Sequence, residues 1–130
     1  MNAEAVVGTL RDAPELVITD ATTGAEATAT YRTFGSLDGR GIGGRRWRGR
    51  SPWERHPDSE ELLVPLEGSY EVTLLTDGGE ERIEVSAGSL LVVPQGVWHQ
   101  LFAADTVLSF GVNATGRTDI SFATDPRRDT

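Results

Sequence analysis

The chain has two histidines, and both stand in segments able to do metal chemistry. His56 lies in W-E-R-H-P-D-S-E-E-L-L-V-P-L-E-G, from Trp53 to Gly68. His99 ends G-S-L-L-V-V-P-Q-G-V-W-H, which starts at Gly88. Neutral imidazole and carboxylate are ligands for iron, manganese, nickel and zinc. Strand side chains alternate faces with period two, so Glu54 and His56 point the same way if their segment is extended. Pro57-Asp58-Ser59 reads as a tight bend, after which Glu61 begins the next strand and can face back toward His56. His99 follows the Pro94-Gln95-Gly96 turn. Taken singly, each of these residues reads more readily as surface or core. Together, on separate strands, they could converge on one ion.

Short strands must position them. Residues 16–19 and 27–34 read as strands, with a turn over 20–25 between them. Residues 35–44 hold five glycines and read as a loop or an irregular strand start. Their G-I-G-G-R-R lacks the spacing of a dinucleotide fingerprint. Residues 45–48 form a strand with Trp47 as its buried anchor, and 49–52 turn the chain. Residues 60–66 and 89–93 are apolar on both faces, as for covered strands. Asp77-Gly78-Gly79 closes a hairpin between 70–75 and 81–85. Residues 97–103 and 107–112 read as a pair joined at Ala104-Asp105, and 120–122 as a weak strand. No segment has a convincing amphipathic helical pattern. The expectation is one all-β sandwich or barrel.

Composition narrows the function. A chain of 130 residues builds a single core. Without cysteine there is no disulfide, thiolate metal site or thiol nucleophile. All 12 basic residues are arginine, so no lysine is available for Schiff-base or phosphate chemistry. The formal charge of −8 argues against a nucleic-acid partner. No apolar run approaches a membrane span, and no secretory leader is evident, so a cytoplasmic location is expected. Six of the arginines fall between Arg40 and Arg55, either a solvated strand or a site for a carboxylate or phosphate.

The two histidine segments resemble the cupin family. Its first motif is G-x5-H-x-H-x(3,4)-E-x6-G, and His56-x4-Glu61-x6-Gly68 matches the second half. Its second motif is G-x5-P-x-G-x2-H-x3-N, and Gly88-x5-Pro94-x-Gly96-x2-His99 matches all but the end. Three positions depart. Glu54 stands where the first histidine of H-x-H would be, Gly49 is one residue out of step, and Ala103 replaces the final Asn.

The resemblance implies a cupin-type double-stranded β-helix, or jelly-roll, barrel as a single domain over 1–130. Residues 1–28 would be an N-terminal extension with extra strands, 29–113 the barrel core and 114–130 a polar tail. It implies one divalent transition metal, Fe(II), Mn, Ni or Zn, held by His56, Glu61 and His99. Glu54 would be a fourth ligand or an unbound general base. Leu63, Tyr70, Val72, Leu74, Ile83, Leu101, Leu108 and Phe110 would line the lumen. Arg46 and Arg48, with Trp47, Tyr70 and Phe110, would bind a small anionic substrate. The expected activity is that of a metal-dependent enzyme, a dioxygenase or an isomerase or cyclase. The competing expectations are a metal-free sensor or carrier and a purely structural β-domain. A homodimer is expected through Trp98, Phe102 and the outer row Leu62, Val64 and Leu66.

Overall fold

The computed structural model describes residues 3–129. Its ten described strands belong to one sheet. They are β1 (Leu16–Ile18), β2 (Arg32–Leu37), β3 (Arg40–Arg50), β4 (Trp53–Arg55), β5 (Glu61–Glu67), β6 (Ser69–Thr76), β7 (Gly79–Ser86), β8 (Leu91–Val93), β9 (Trp98–Val112) and β10 (Asp119–Ser121). The expected all-β class holds.

Strand β9 is the spine. On one edge it pairs with β3 from Phe102 to Val112 and with β4 at His99. On the other, Trp98 to Phe102 pair with β6, and Leu108 to Val112 pair with β5. The stretch between is bulged: Trp47 opposes Val107, yet Gly49 opposes Ala103. Bulges bend and twist a strand, and this one carries β9 from the β6–β7 hairpin to the β5–β8 pair. The expected turn at Ala104-Asp105 is therefore replaced by a continuous strand. Ala104, Asp105 and Thr106 are exposed there, which breaks the apolar alternation in the manner of a turn.

The N-terminal segment also departs from expectation. It holds two short helices, α1 (Val6–Asp12) and α2 (Gly24–Thr30), besides β1. Each has seven residues, too short for a helical hydrophobic stripe to be legible. What starts α2 is local chemistry. Thr23 accepts from the Glu26 amide while the Glu26 side chain accepts from the Thr23 amide, a reciprocal cap. Residues 27–30 thus end a helix, and the strand begins only at Arg32.

The glycine-rich 35–44 stretch is two paired strands turning at Asp38-Gly39. Its glycines make room rather than flexibility: a Cβ on Gly44 would overlap the Ser109 carbonyl oxygen of β9. Gly111 is tighter, since a Cβ there would overlap the Leu62 carbonyl oxygen. Gly111→Ala must force β5 off β9, at a cost of at least about 1–3 kcal/mol. Thermal unfolding should show a large drop in midpoint; an unchanged midpoint contradicts the packing.

The main core joins Leu16, Trp47, Tyr70, Val72, Leu74, Val85, Val93, Ala103 and Val107. Trp47 and Tyr70 meet edge-on-tilted, with ring centroids 5.4 Å apart. A second cluster, Trp53, Leu75 and Trp98, lies on the opposite face of β9. No described helix is long and apolar enough to cross a membrane.

Candidate metal centre

Three segments deliver the ligating side chains. Glu54 lies in β4, His56 follows it, Glu61 opens β5, and His99 sits near the start of β9. Strand pairing places Glu54 directly beside His99. The loops carrying the two histidines are tied together: the Gly96 amide donates to the His56 carbonyl at 2.9 Å. Gln95 Nε2 donates to the Pro57 carbonyl at 2.8 Å. Gly96 has φ +77°, a conformation glycine takes without strain, so the Pro94-Gln95-Gly96 turn can aim its amide this way.

The imidazoles face each other with ring centroids 5.0 Å apart. His99 Nδ1 lies 3.0 Å from the Val97 carbonyl oxygen, which can only accept. The proton of the neutral ring is therefore on Nδ1, and Nε2 carries the lone pair. His56 Nδ1 lies 3.0 Å from Thr118 Oγ1, and donation to that hydroxyl leaves its Nε2 free in the same way. Both Nε2 atoms are buried without a hydrogen-bond partner. Buried polar atoms are rarely left so.

Glu61 Oε1 stands 3.4 Å from His56 Nε2 and 3.5 Å from His99 Nε2. Those separations exceed an ordinary hydrogen bond. They match another geometry: ligand atoms about 2.1 Å from one ion at tetrahedral angles lie roughly 3.4 Å apart. Glu54 Oε2 is 3.8 Å from His56 Nε2. Glu54, His56 and His99 offer ligand atoms all within 4.8 Å of one another. The four sequence candidates thus meet, and the donor set of two imidazoles and two carboxylates fits a divalent transition metal.

Their electrostatics agree. Burial raises Glu61, but its contacts with His56 and His99 outweigh that and hold the carboxyl at about 2. The Glu61 carboxylate in turn raises His56, against burial. Burial and the charge of Glu61 raise Glu54. Some 36% of the Glu54 side chain is accessible, and it lines the cavity beside the cluster.

That cavity holds about 450 Å³ and is lined in part by Glu54, Glu61 and His99. Leu63, Tyr70, Leu101 and Phe110 line it as expected, with Trp47. Val72, Leu74 and Leu108 are instead packed core, and Ile83 rests against that core. Arg46 and Arg48 do not reach the cavity. They alternate with Arg45 and Trp47 and so occupy the other face of β3. Arg46 donates to the Ala13 carbonyl, and Arg48 pairs with Glu15 at 3.2 Å. Arg45 lines the cavity in their place, and burial lowers its guanidinium below the usual value, against Tyr31 and Glu54.

No local pattern marks the supporting residues. The polar tail supplies Thr118 to His56, and β10 pairs with β4. Arg55 clamps that pairing through Asp119, with Nε and Nη2 at 3.0 and 2.7 Å from Oδ2. The Arg55 guanidinium also stacks on Trp98, 4.6 Å from a ring centroid. Tyr31 and Asn113 enter the cavity wall as well. Trp53 is buried in the second cluster.

Residues 48–109 match the Cupin domain family. No curated protein matches the chain. Among solved structures, it is similar to a cupin-2 domain containing protein from Shewanella frigidimarina, with 21% identity and a TM-score of 0.59 over 66% of this chain and 80% of that one. It is similar to hydroquinone 1,2-dioxygenase in complex with Cd2+ and 4-hydroxybenzonitrile, with 17% identity and a TM-score of 0.54 over 65% and 63%. Oxalate oxidase in complex with the substrate analogue glycolate gives 20% identity and a TM-score of 0.54 over 63% and 46%. The chain thus spans less than two thirds of the length of either of these enzymes. At such identities the likeness concerns the fold.

Proposed function

Since the fold is all-β and residues 48–109 match the Cupin domain family, we propose that this chain is a metal-dependent enzyme acting on a small molecule. One observation carries the reading: two buried imidazole Nε2 atoms without partners converge on one ionised carboxylate beside a cavity. His56, His99 and Glu61 would hold the ion, and Glu54 would complete the set on the cavity side. An ion bound there supplies Lewis-acid polarisation of a substrate oxygen or, if it is iron, activation of dioxygen. The solved neighbours that act as a dioxygenase and an oxidase support the second.

The chain's own residues do the rest. Val97 and Thr118 fix the ring orientations through the Nδ1 atoms. Trp47, Tyr70 and Leu101 shield the reacting face from bulk water. If Glu54 instead stays off the ion, its carboxylate lines the cavity and can take or return a substrate proton. The location inside the cell and pairing into a dimer remain part of this proposal, resting on the composition and on the family.

The test is titration of chelator-treated protein with Fe(II), Mn(II), Ni(II) and Zn(II). Roughly one ion should bind per chain; no uptake of any of the four sinks the reading. Thr118→Val should weaken that binding about 10–100-fold, the usual effect of losing a partner behind a metal-bound histidine. Wild-type affinity in the variant would show that the hydroxyl does not orient His56.

A further inference from the structure

The cavity wall carries an arginine that has no ion-pair contact among the described residues. Arg45 shares its strand face with Trp47 and lines the wall. Its Nη2 donates to the Ala27 carbonyl at 2.7 Å, and the guanidinium lies over the Tyr31 ring, 5.1 Å from the centroid. Its Nε is buried and has no partner. Among the described residues no carboxylate lies within ion-pair distance of it, whereas Arg48 on the same strand and Arg55 on β4 each have one. Arg45 is half-buried, and taking even part of a guanidinium out of water without a carboxylate partner is costly.

A second donor stands next to it. Asn113 Nδ2 donates to the Tyr31 hydroxyl at 2.8 Å, which leaves the phenolic proton of Tyr31 for another acceptor. Tyr31 can lie here because β3 is bare. A Cβ on Gly43 would overlap the Tyr31 hydroxyl, and one on Gly41 would come within 3.2 Å of Asn113 Nδ2. The glycines therefore hold open a place for a polar group at this end of the cavity.

The charges then point to the missing partner. Two carboxylates, Glu54 and Glu61, balance a divalent ion, and Arg45 is left over. We infer that Arg45 and Tyr31 bind the carboxylate of a small organic acid whose body packs against Trp47, Tyr70 and Phe110. The planar guanidinium suits a carboxylate, and one arginine matches a single negative charge better than a phosphate dianion. The inference rests on the metal-dependent reading for its charge balance, but not for the contact itself.

Calorimetric titration with 4-hydroxybenzoate and its neutral match 4-hydroxybenzamide tests it, on chelator-treated and Zn(II)-loaded protein. The acid should bind at least tenfold tighter than the amide in both forms. Arg45→Met should erase that preference and leave the thermal midpoint unchanged or higher, while Arg48→Met should keep it. Tyr31→Phe, which retains the ring, should lose part of it. Equal binding of acid and amide, binding of neither, or a preference surviving Arg45→Met overturns the inference. So does a preference present only with zinc, which would assign the carboxylate to the ion and leave the metal reading intact. Failure to take up zinc, with the preference intact in the metal-free protein, sinks the metal reading alone. A midpoint lowered by Arg45→Met together with a preference unaltered in Tyr31→Phe makes Arg45 a scaffold residue and also overturns it.

Discussion

His99→Ala is expected to yield a folded protein that retains no transition metal, and His56→Ala the same. The effect is large because each ring supplies one of two buried nitrogens aimed at Glu61, and nothing else nearby offers nitrogen. Losing a ligand outright should exceed the roughly 100-fold ceiling typical of changes behind a ligand. In His99→Ala the lost ring leaves a space that opens toward the cavity His99 lines, so water can fill it. Folding is checked by circular dichroism, and metal content by elemental analysis of protein purified without chelator. Full retention in both variants would show that the convergence of the imidazoles has no ion to serve. Retention in His56→Ala alone would place the ion on His99, Glu61 and Glu54, because Glu54 is strand-paired with His99.

The second large effect lies on the other side of β9. Trp98 is 6% exposed and packs with Trp53 and Leu75. Trp98→Ala should cost about 3–5 kcal/mol, as for other buried aromatics cut to alanine. For a chain of this size that lowers the melting midpoint by roughly 10–20 °C. Its consequence for the site is specific. Trp98 is also the platform for Arg55, which pairs with Asp119 and so fastens β10 to β4. Loosening β4 frees Glu54 and the chain leading into His56, so metal affinity should fall in parallel with stability. Trp98→Phe, keeping a ring, should lose less of both. A stability change below about 1 kcal/mol in Trp98→Ala would show that the second cluster contributes little.

Trp98 illustrates what alternation reveals. His99 and Leu101 face inward and Trp98 outward, as period two requires. The same rule leaves Arg46 and Arg48 outside the cavity and brings in Arg45. Which face of β3 turned inward depended on Trp47, and Trp47 was legible as buried. The arginines nonetheless resisted assignment, because four of them crowd one six-residue segment and only the face shared with Trp47 separates them.

The four ligand candidates, the β class and the hairpin at Asp77-Gly78 were legible from the residues alone. Those depend on local spacing: a carboxylate a fixed distance from a histidine, a turn of glycines, apolar residues in alternation. Long-range packing was needed to show that β9 is one bent strand, that the N-terminal segment is partly helical, and that the tail returns to support His56. It alone brought Arg45, Tyr31 and Asn113 to one wall. Such contacts join residues up to 82 positions apart, as Tyr31 and Asn113 are. Their geometry is set by strand pairing and by the absence of side chains at Gly43 and Gly111, whose role depends on what lies across from them. A glycine-rich stretch reads as a loop from its own composition; only its neighbours show that it is a strand stripped bare to let them in.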